Sequence, residues 1–185
     1  PHFLSWVILG GIMIDILSPS TGIVNSGLKL LGLQPIFFLA LPEVFPWTLI
    51  ISDVWKEFGF TTVIYLAALT GIDPALYEAA KIDGAGRWRC MVNVTLPGIM
   101  PTIVLMGVLS LGNVLNAGFE QVFNLYSPVV YGTGDILDTF VYRLGLLDAQ
   151  YGVAAVVGLF KSAVSFVFIV VSYRLAYKLA NYSVF

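Results

Sequence analysis

The stretch Asp73-Pro74-Ala75-Leu76-Tyr77-Glu78-Ala79-Ala80-Lys81-Ile82-Asp83-Gly84-Ala85-Gly86, closed downstream by Val94-Thr95-Leu96-Pro97, is a polar island between two long apolar runs. Asp73 is suited to cap a helix whose first residue is Pro74, where a missing N–H costs nothing. Residues Ala75–Lys81 then read as a short helix with Ala79 and Ala80 on its surface, small enough for another protein to approach closely. Gly84 and Gly86 supply the turn that ends it. The expected element is a short helix lying along the membrane and offered to a partner. A plain connector is the alternative for any loop helix that ends in glycine.

Outward from this island the chain turns apolar. Of its residues 58% are hydrophobic and 11% charged, against about 25% charged in a soluble domain. The mean hydropathy is +0.91. A chain of 185 residues cannot hide that much apolar surface from water, so the bilayer is its natural solvent. A spanning helix needs roughly 20 mostly apolar residues, and four segments approach this: about 3–17, 46–72, 98–116 and 152–179. The expected fold is all-α, a polytopic transmembrane helical bundle forming one domain over 1–185, with a loop at 73–97. The connection at 18–45 is rich in Ser, Gly and Pro and reads as a loop with one short amphipathic helix. The connection at 117–151 holds the turn signals Ser127-Pro128 and Gly132-Thr133-Gly134 and an interfacial segment over Leu137–Leu147. The chain opens at Pro1 and is expected to be the later part of a longer protein.

Basic residues near span ends mark the cytoplasmic side. Lys81, Arg87 and Arg89 lie in the 73–97 loop, and Arg174 and Lys178 at the C-terminal end. The other connections hold only Lys29 and Arg143, beside Glu43, Glu120, Asp135, Asp138 and Asp148. The 73–97 loop and the C-terminus are therefore expected in the cytoplasm.

Charges inside spans are costly and are candidates for function. Asp53 and Glu57 are four residues apart and share a helix face, with Lys56 adjacent; pairing among them softens the cost. The third span ends in Asn113 and Asn116, with Glu120 one turn further. Carboxylates and amides suit a hydroxyl-rich ligand, with Trp47, Trp55 or Tyr65 as stacking faces. A polar clamp between helices, touching no ligand, is the alternative. Lys161 is read as a counter-ion to one of these carboxylates, or as a contact for an anionic sugar. The net charge of -2 argues against nucleic-acid binding. Cys90 is the single cysteine, so neither an internal disulfide nor a cysteine metal cluster is expected; His2 suggests no metal site. Ser, His and Asp form no triad, and no Gly-x-x-x-x-Gly-Lys-Ser/Thr phosphate loop occurs. The chain is read as non-enzymatic.

Glu78-Ala79-Ala80, three residues, Gly84, nine residues, then Val94-Thr95-Leu96-Pro97 resembles the EAA loop of ABC importer permeases. Val94 is the one departure, another β-branched apolar residue in place of Ile. Phe119-Glu120-Gln121-Val122-Phe123, Asp138-Thr139-Phe140-Val141-Tyr142-Arg143 and Leu159-Phe160-Lys161-Ser162 are similar to the polysaccharide and oligosaccharide subgroup, which includes alginate-, aldouronate- and maltose-type importers. The resemblance implies a type I ABC importer permease fold, with this chain holding the C-terminal four of about six spans, in a bacterial inner membrane. It implies that Tyr77, Glu78, Ala79, Ala80, Asp83, Gly84, Ala85, Gly86, Leu96 and Pro97 couple the chain to an ATPase. It also implies that Asp53, Lys56, Glu57, Asn113, Asn116, Glu120 and Lys161 lie along a sugar pathway. The implied partners are two ATPase subunits carrying ATP and Mg, a second and different permease, and an extracellular solute-binding protein that delivers the sugar. No cofactor is expected on this chain. Two rivals remain: a permease for an amino acid or peptide, and a secondary transporter using Asp53, Lys56 and Glu57 as an ion path.

Overall fold

Ser5 begins the first helix: its Oγ accepts from the Ile8 N–H, and α1 runs Trp6–Leu17. The computed structural model describes residues 1–116 and 118–180, with side chains through Arg174. Among the described residues there is no strand. The short helix expected in the first connection is α2, Ile23–Leu30, closed by Gly32 at φ +75. Next, α3 runs unbroken over Phe45–Thr70. The middle connection holds α4 (Pro74–Ile82), α5 (Arg87–Cys90), a π-helical turn at Met91–Thr95 and α6 (Leu96–Gly98). After it comes α7, Met100–Gly112. Three short helices follow: α8 (Phe119–Leu125), α9 (Tyr131–Gly134) and α10 (Leu137–Tyr142), the last prolonged by a π turn over Arg143–Leu147. The longest helix is α11, Tyr151–Ala180.

Within α11, Tyr151–Arg174 is long and apolar enough to cross a membrane alone. Two bent pairs are long and apolar enough when each is taken together: α3 with α4, at 69°, and Arg87–Gly98 with α7, at 60°. The helix α1 is apolar and 12 residues long. The side chain of Lys178, expected at the cytoplasmic end, lies outside the described residues, as does Ala117 in the 117–151 connection.

The chain divides into two compact units, Pro1–Gly59 with Asn116–Lys161, and Phe60–Leu115 with Ser162–Phe185. In the first, Phe45, Leu125 and Val130 form a buried cluster. Gly134 is packed so closely on the Phe45 ring that a Cβ there would overlap it. Asn25, fully buried, ties α2 to the segments on either side: its Nδ2 donates to the Leu17, Ser18 and Ile36 carbonyls, and its Oδ1 accepts from the Ile36 N–H at 2.8 Å. A buried amide satisfied on both ends holds a loop without leaving a polar group stranded. In the second unit, Gly98 meets Ile72 and Gly112 meets Ile169, where an added Cβ would come within 2.8 and 3.2 Å of the isoleucine side chains.

One expectation needs correction. Asn113, Asn116 and Glu120 do not follow one another on successive turns of a helix, because α7 ends at Gly112. Asn113 is the reason: its backbone N–H and its Nδ2 both bond the Leu109 carbonyl, each at 3.2 Å, which closes the last turn. Gly118, at φ +69, then redirects the chain into α8.

Candidate functional site

The first candidate surface is the middle connection. Asp73 caps α4 as expected, its carboxylate accepting from the Ala75 N–H at 2.9 Å, with Pro74 as the first helical residue. At the other end the Ala85 N–H returns to the Ala80 carbonyl at 2.9 Å and the Gly84 N–H to Lys81 at 3.0 Å. This Schellman closure requires a residue in the left-handed region, and Gly84 supplies it at φ +75. Nothing lies within 4 Å of where a Cβ would sit at Gly84, so the glycine is required for its φ and leaves open space above it. Gly86 has ordinary extended backbone and starts α5 instead.

Tyr77 anchors α4 to the helix that follows. Its hydroxyl lies 2.9 Å from Thr95 Oγ1, while Thr95 gives its own proton to the Cys90 carbonyl, so Tyr77 is the donor. Tyr77, Lys81, Ala85, Arg87, Cys90 and Thr95 border a groove of about 330 Å³. Leu96 and Pro97 belong to α6. Glu78, Ala79, Lys81, Asp83, Arg87 and Arg89 are exposed, and none of the charged ones makes an ion pair among the described residues. Ile82 and Trp88 are 86% and 74% exposed.

The second candidate surface belongs to the other unit and is built on α3. Glu57 is held from two sides, by His2 Nδ1 at 2.7 Å and Lys56 Nζ at 3.2 Å. The Lys56 ammonium also sits 5.3 Å from the centre of the Trp6 ring. Asp53, one turn earlier on the same face, makes neither a hydrogen bond nor an ion pair among the described residues. Beneath it runs a buried polar seam. Ser52 Oγ donates to the Thr48 carbonyl at 2.7 Å, and Gln121 of α8 donates its amide to the Leu49 carbonyl at 2.7 Å and to Ser52 Oγ at 2.9 Å. A cavity of about 400 Å³ borders Asp53, Asn116, Gly118 and Gln121 on its polar side.

Lys161 is paired with Asp138, at 2.6 and 2.7 Å to the two carboxylate oxygens, rather than with Asp53 or Glu57. Arg143 forms a fork on Asp135, with Nη1 donating to Oδ1 at 2.9 Å and Nη2 to Oδ2, and lies over the Tyr131 ring at 4.2 Å. Burial pushes the Asp135 carboxyl up, but the Arg143 guanidinium and the Thr139 hydroxyl outweigh it and hold the group below its usual range. Burial raises the Tyr126 phenol, and Asp135 raises Arg143 further above its already high value. Phe119, Phe123, Tyr126, Tyr131 and Tyr142 complete this region as a run of neighbouring rings 5.0–6.2 Å apart.

The structure thus brings Lys56 and Glu57 together and sets Asp53 and Asn116 on one cavity. Asn113 belongs to the other unit. Glu120 lies in the first turn of α8, its carbonyl accepting from Asn124 Nδ2 at 2.7 Å. Gln121 was not singled out in the sequence. Its signal there is faint, an uncharged amide within an aromatic run. Among the described residues no three His, Cys, Asp or Glu side chains gather as a metal ion would need.

Comparison with known proteins gives this arrangement its context. The polygalacturonan/rhamnogalacturonan transport system permease protein YteP of Bacillus subtilis (strain 168) is 40% identical over 185 residues, covering 100% of this chain and 58% of that protein. Protein LplB of the same organism is 40% identical over 169 residues, covering 91% of this chain and 53% of that protein. A chain in the crystal structure of a bacterial alginate ABC transporter, in complex with an alginate pentasaccharide-bound periplasmic protein, matches with a TM-score of 0.95 and 43% identity, over 100% of this chain and 64% of that one. The chain therefore spans between about half and two thirds of the length of the relatives it matches. A family profile described as binding-protein-dependent transport system inner membrane component matches residues 1–181. With the all-α fold and the exposed α4 loop already in place, this chain belongs to that family of inner-membrane permeases.

Proposed function

We propose that this chain forms part of the membrane path of an ATP-driven bacterial importer for an oligosaccharide, with fragments of acidic polysaccharides as the favoured class. One observation carries the reading: α4 and its Gly84 closure form an exposed, uncovered surface in a chain that matches a binding-protein-dependent permease family along almost its whole length. The substrate class is supported by relatives named for polygalacturonan/rhamnogalacturonan and alginate transport.

In this reading the spans run at about 3–17, 46–72, 98–116 and 152–179, with the 73–97 loop and the C-terminus in the cytoplasm. Two ATPase subunits, carrying ATP and Mg, close on α4 here and on its counterpart in a second, different permease. Their closure opens the path outward to a solute-binding protein, and hydrolysis returns it inward. Asp53, Lys56, Glu57, Asn113, Asn116 and Glu120 contribute to the wall of that path, whereas Lys161 serves as the counter-ion of Asp138. The chain itself binds no nucleotide and needs no cofactor.

The test is uptake by proteoliposomes holding the full-length protein with its partner permease, ATPase and binding protein. Oligogalacturonate uptake that requires hydrolysable ATP is expected. Uptake that survives ATP depletion and follows a proton gradient would overturn the reading and favour Asp53, Lys56 and Glu57 as an ion path.

A further inference from the structure

We propose that Asp53 and Gln121 form a pair of acceptors that binds a pair of sugar hydroxyls and turns the carboxylate edge of a uronate away from Asp53; the proposal rests on the oligosaccharide-import reading above. The key is the orientation of the Gln121 amide. Gln121 is 4% exposed, and its Nε2 donates to the Leu49 carbonyl and to Ser52 Oγ. A backbone carbonyl can only accept, and Ser52 directs its own proton to the Thr48 and Leu49 carbonyls. The amide therefore cannot be turned over without setting oxygen against oxygen. Both of its donor hydrogens are used within the seam, and the remaining atom, Oε1, accepts nothing among the described residues. Gly118 leaves room beside that oxygen, since a Cβ there would come within 3.3 Å of it.

Gln121, Gly118 and Asp53 border the same cavity as Asn116, and its volume of about 400 Å³ falls in the range of small-molecule sites. Asp53 is one helical turn beyond Leu49, the residue whose carbonyl fixes Gln121, so the seam sets the position of both acceptors. Glu57 on the same face is held by Lys56 and His2, while Asp53 has no hydrogen bond or ion pair among the described residues. A carboxylate within a membrane path that no described residue pairs is open to a donor from a ligand. Pro46, Leu49, Ile50 and Val122 supply apolar walls beside it, suited to the C–H face of a sugar ring. A carboxylate and an amide oxygen only accept, so the ligand edge they receive must donate. Vicinal hydroxyls do so. A uronate carboxylate does not, and it would meet the charge of Asp53.

The experiment measures the KM and kcat of trigalacturonate uptake by the complete reconstituted transporter, comparing Asp53→Ala and Asp53→Asn with the wild type. Asp53→Ala is expected to raise KM about tenfold, the scale of losing hydrogen bonds to a charged acceptor, with the loss falling on KM rather than kcat. Asp53→Asn, which keeps one carbonyl acceptor, is expected to lie between Asp53→Ala and the wild type. A KM for Asp53→Ala within twofold of the wild type, a loss confined to kcat, or an Asn variant no better than Ala would overturn the subsite. Gln121→Met keeps the side-chain length without the amide and is expected to raise KM as well; an unchanged KM in a folded Gln121→Met protein removes Gln121 from the proposal. Wild-type complex that takes up no oligosaccharide, acidic or neutral, refutes the import reading itself, and the subsite falls with it.

Discussion

The 117–151 connection, with the start of α11, and the α4 loop both carry charge and treat it differently. In the first, Arg143 closes on Asp135 and lies over the Tyr131 ring, and Lys161 closes on Asp138. In the second, Glu78, Lys81, Asp83, Arg87 and Arg89 make no ion pair among the described residues, and Ile82 and Trp88 stand exposed. The difference separates charge that holds a segment together from charge that the described residues leave unpaired. In the 117–151 connection Asp135 and Asp138 are therefore held by partners within this chain. The loop is internally well formed through Asp73, Gly84 and Tyr77, yet its outward face is exposed.

Perturbing each side separates the two roles. The largest effect is expected from Gly84→Asp, which puts a charged side chain into the open space over the α4 closure. Uptake should be abolished while membrane insertion and protein level are kept. Normal uptake by this variant would mean that no partner approaches the turn. Next comes Arg143→Met, which leaves Asp135 partly buried without its partner. A loss of about 2–3 kcal/mol in the unfolding of the detergent-solubilised protein is expected, with the accessibility of the α4 loop unchanged. A smaller effect should follow acidification. Asp135 has a lower pKa folded than unfolded, so its pair contributes fully above the ordinary carboxylate range, about pH 4. That contribution should fade as pH falls through the lower folded value. Stability of the wild type should therefore drop at acid pH more than that of Asp135→Asn; equal acid sensitivity would remove this pair from the account. The smallest effect belongs to Trp88→Ala, a change of under about 0.5 kcal/mol in the isolated chain because the ring touches little, but with weaker association of the ATPase.

Much of this contrast was legible in the residues. The cap at Asp73, the proline after it and the glycine at 84 are local chemistry, so the helix, its start and its closure follow from short-range rules. The pairing of Lys56 with Glu57 is likewise between neighbours. The long-range partners were not legible: Asp138 for Lys161, 23 residues away, and Leu49 and Ser52 for Gln121, 72 and 69 residues away. Periodicity says which face a residue occupies, and only the packing of α8 on α3 says what it meets. The break after Gly112 was also hidden, because Asn113 reads equally well as a helix residue until its side chain is seen to take the Leu109 carbonyl.

The central claim is that the α4 face lies in the cytoplasm and is covered by an ATPase. Ala79 is exposed on that face, whereas Cys90 is half-buried beside the Ala85 carbonyl. The direct measurement is labelling of Ala79→Cys, in a background with Cys90→Ser and no other cysteines, by a membrane-impermeant maleimide in vesicles of known orientation. Labelling from the cytoplasmic face alone, suppressed when the ATPase is co-assembled, is the expected result. Labelling from the outer face, or cytoplasmic labelling indifferent to the ATPase, would contradict it.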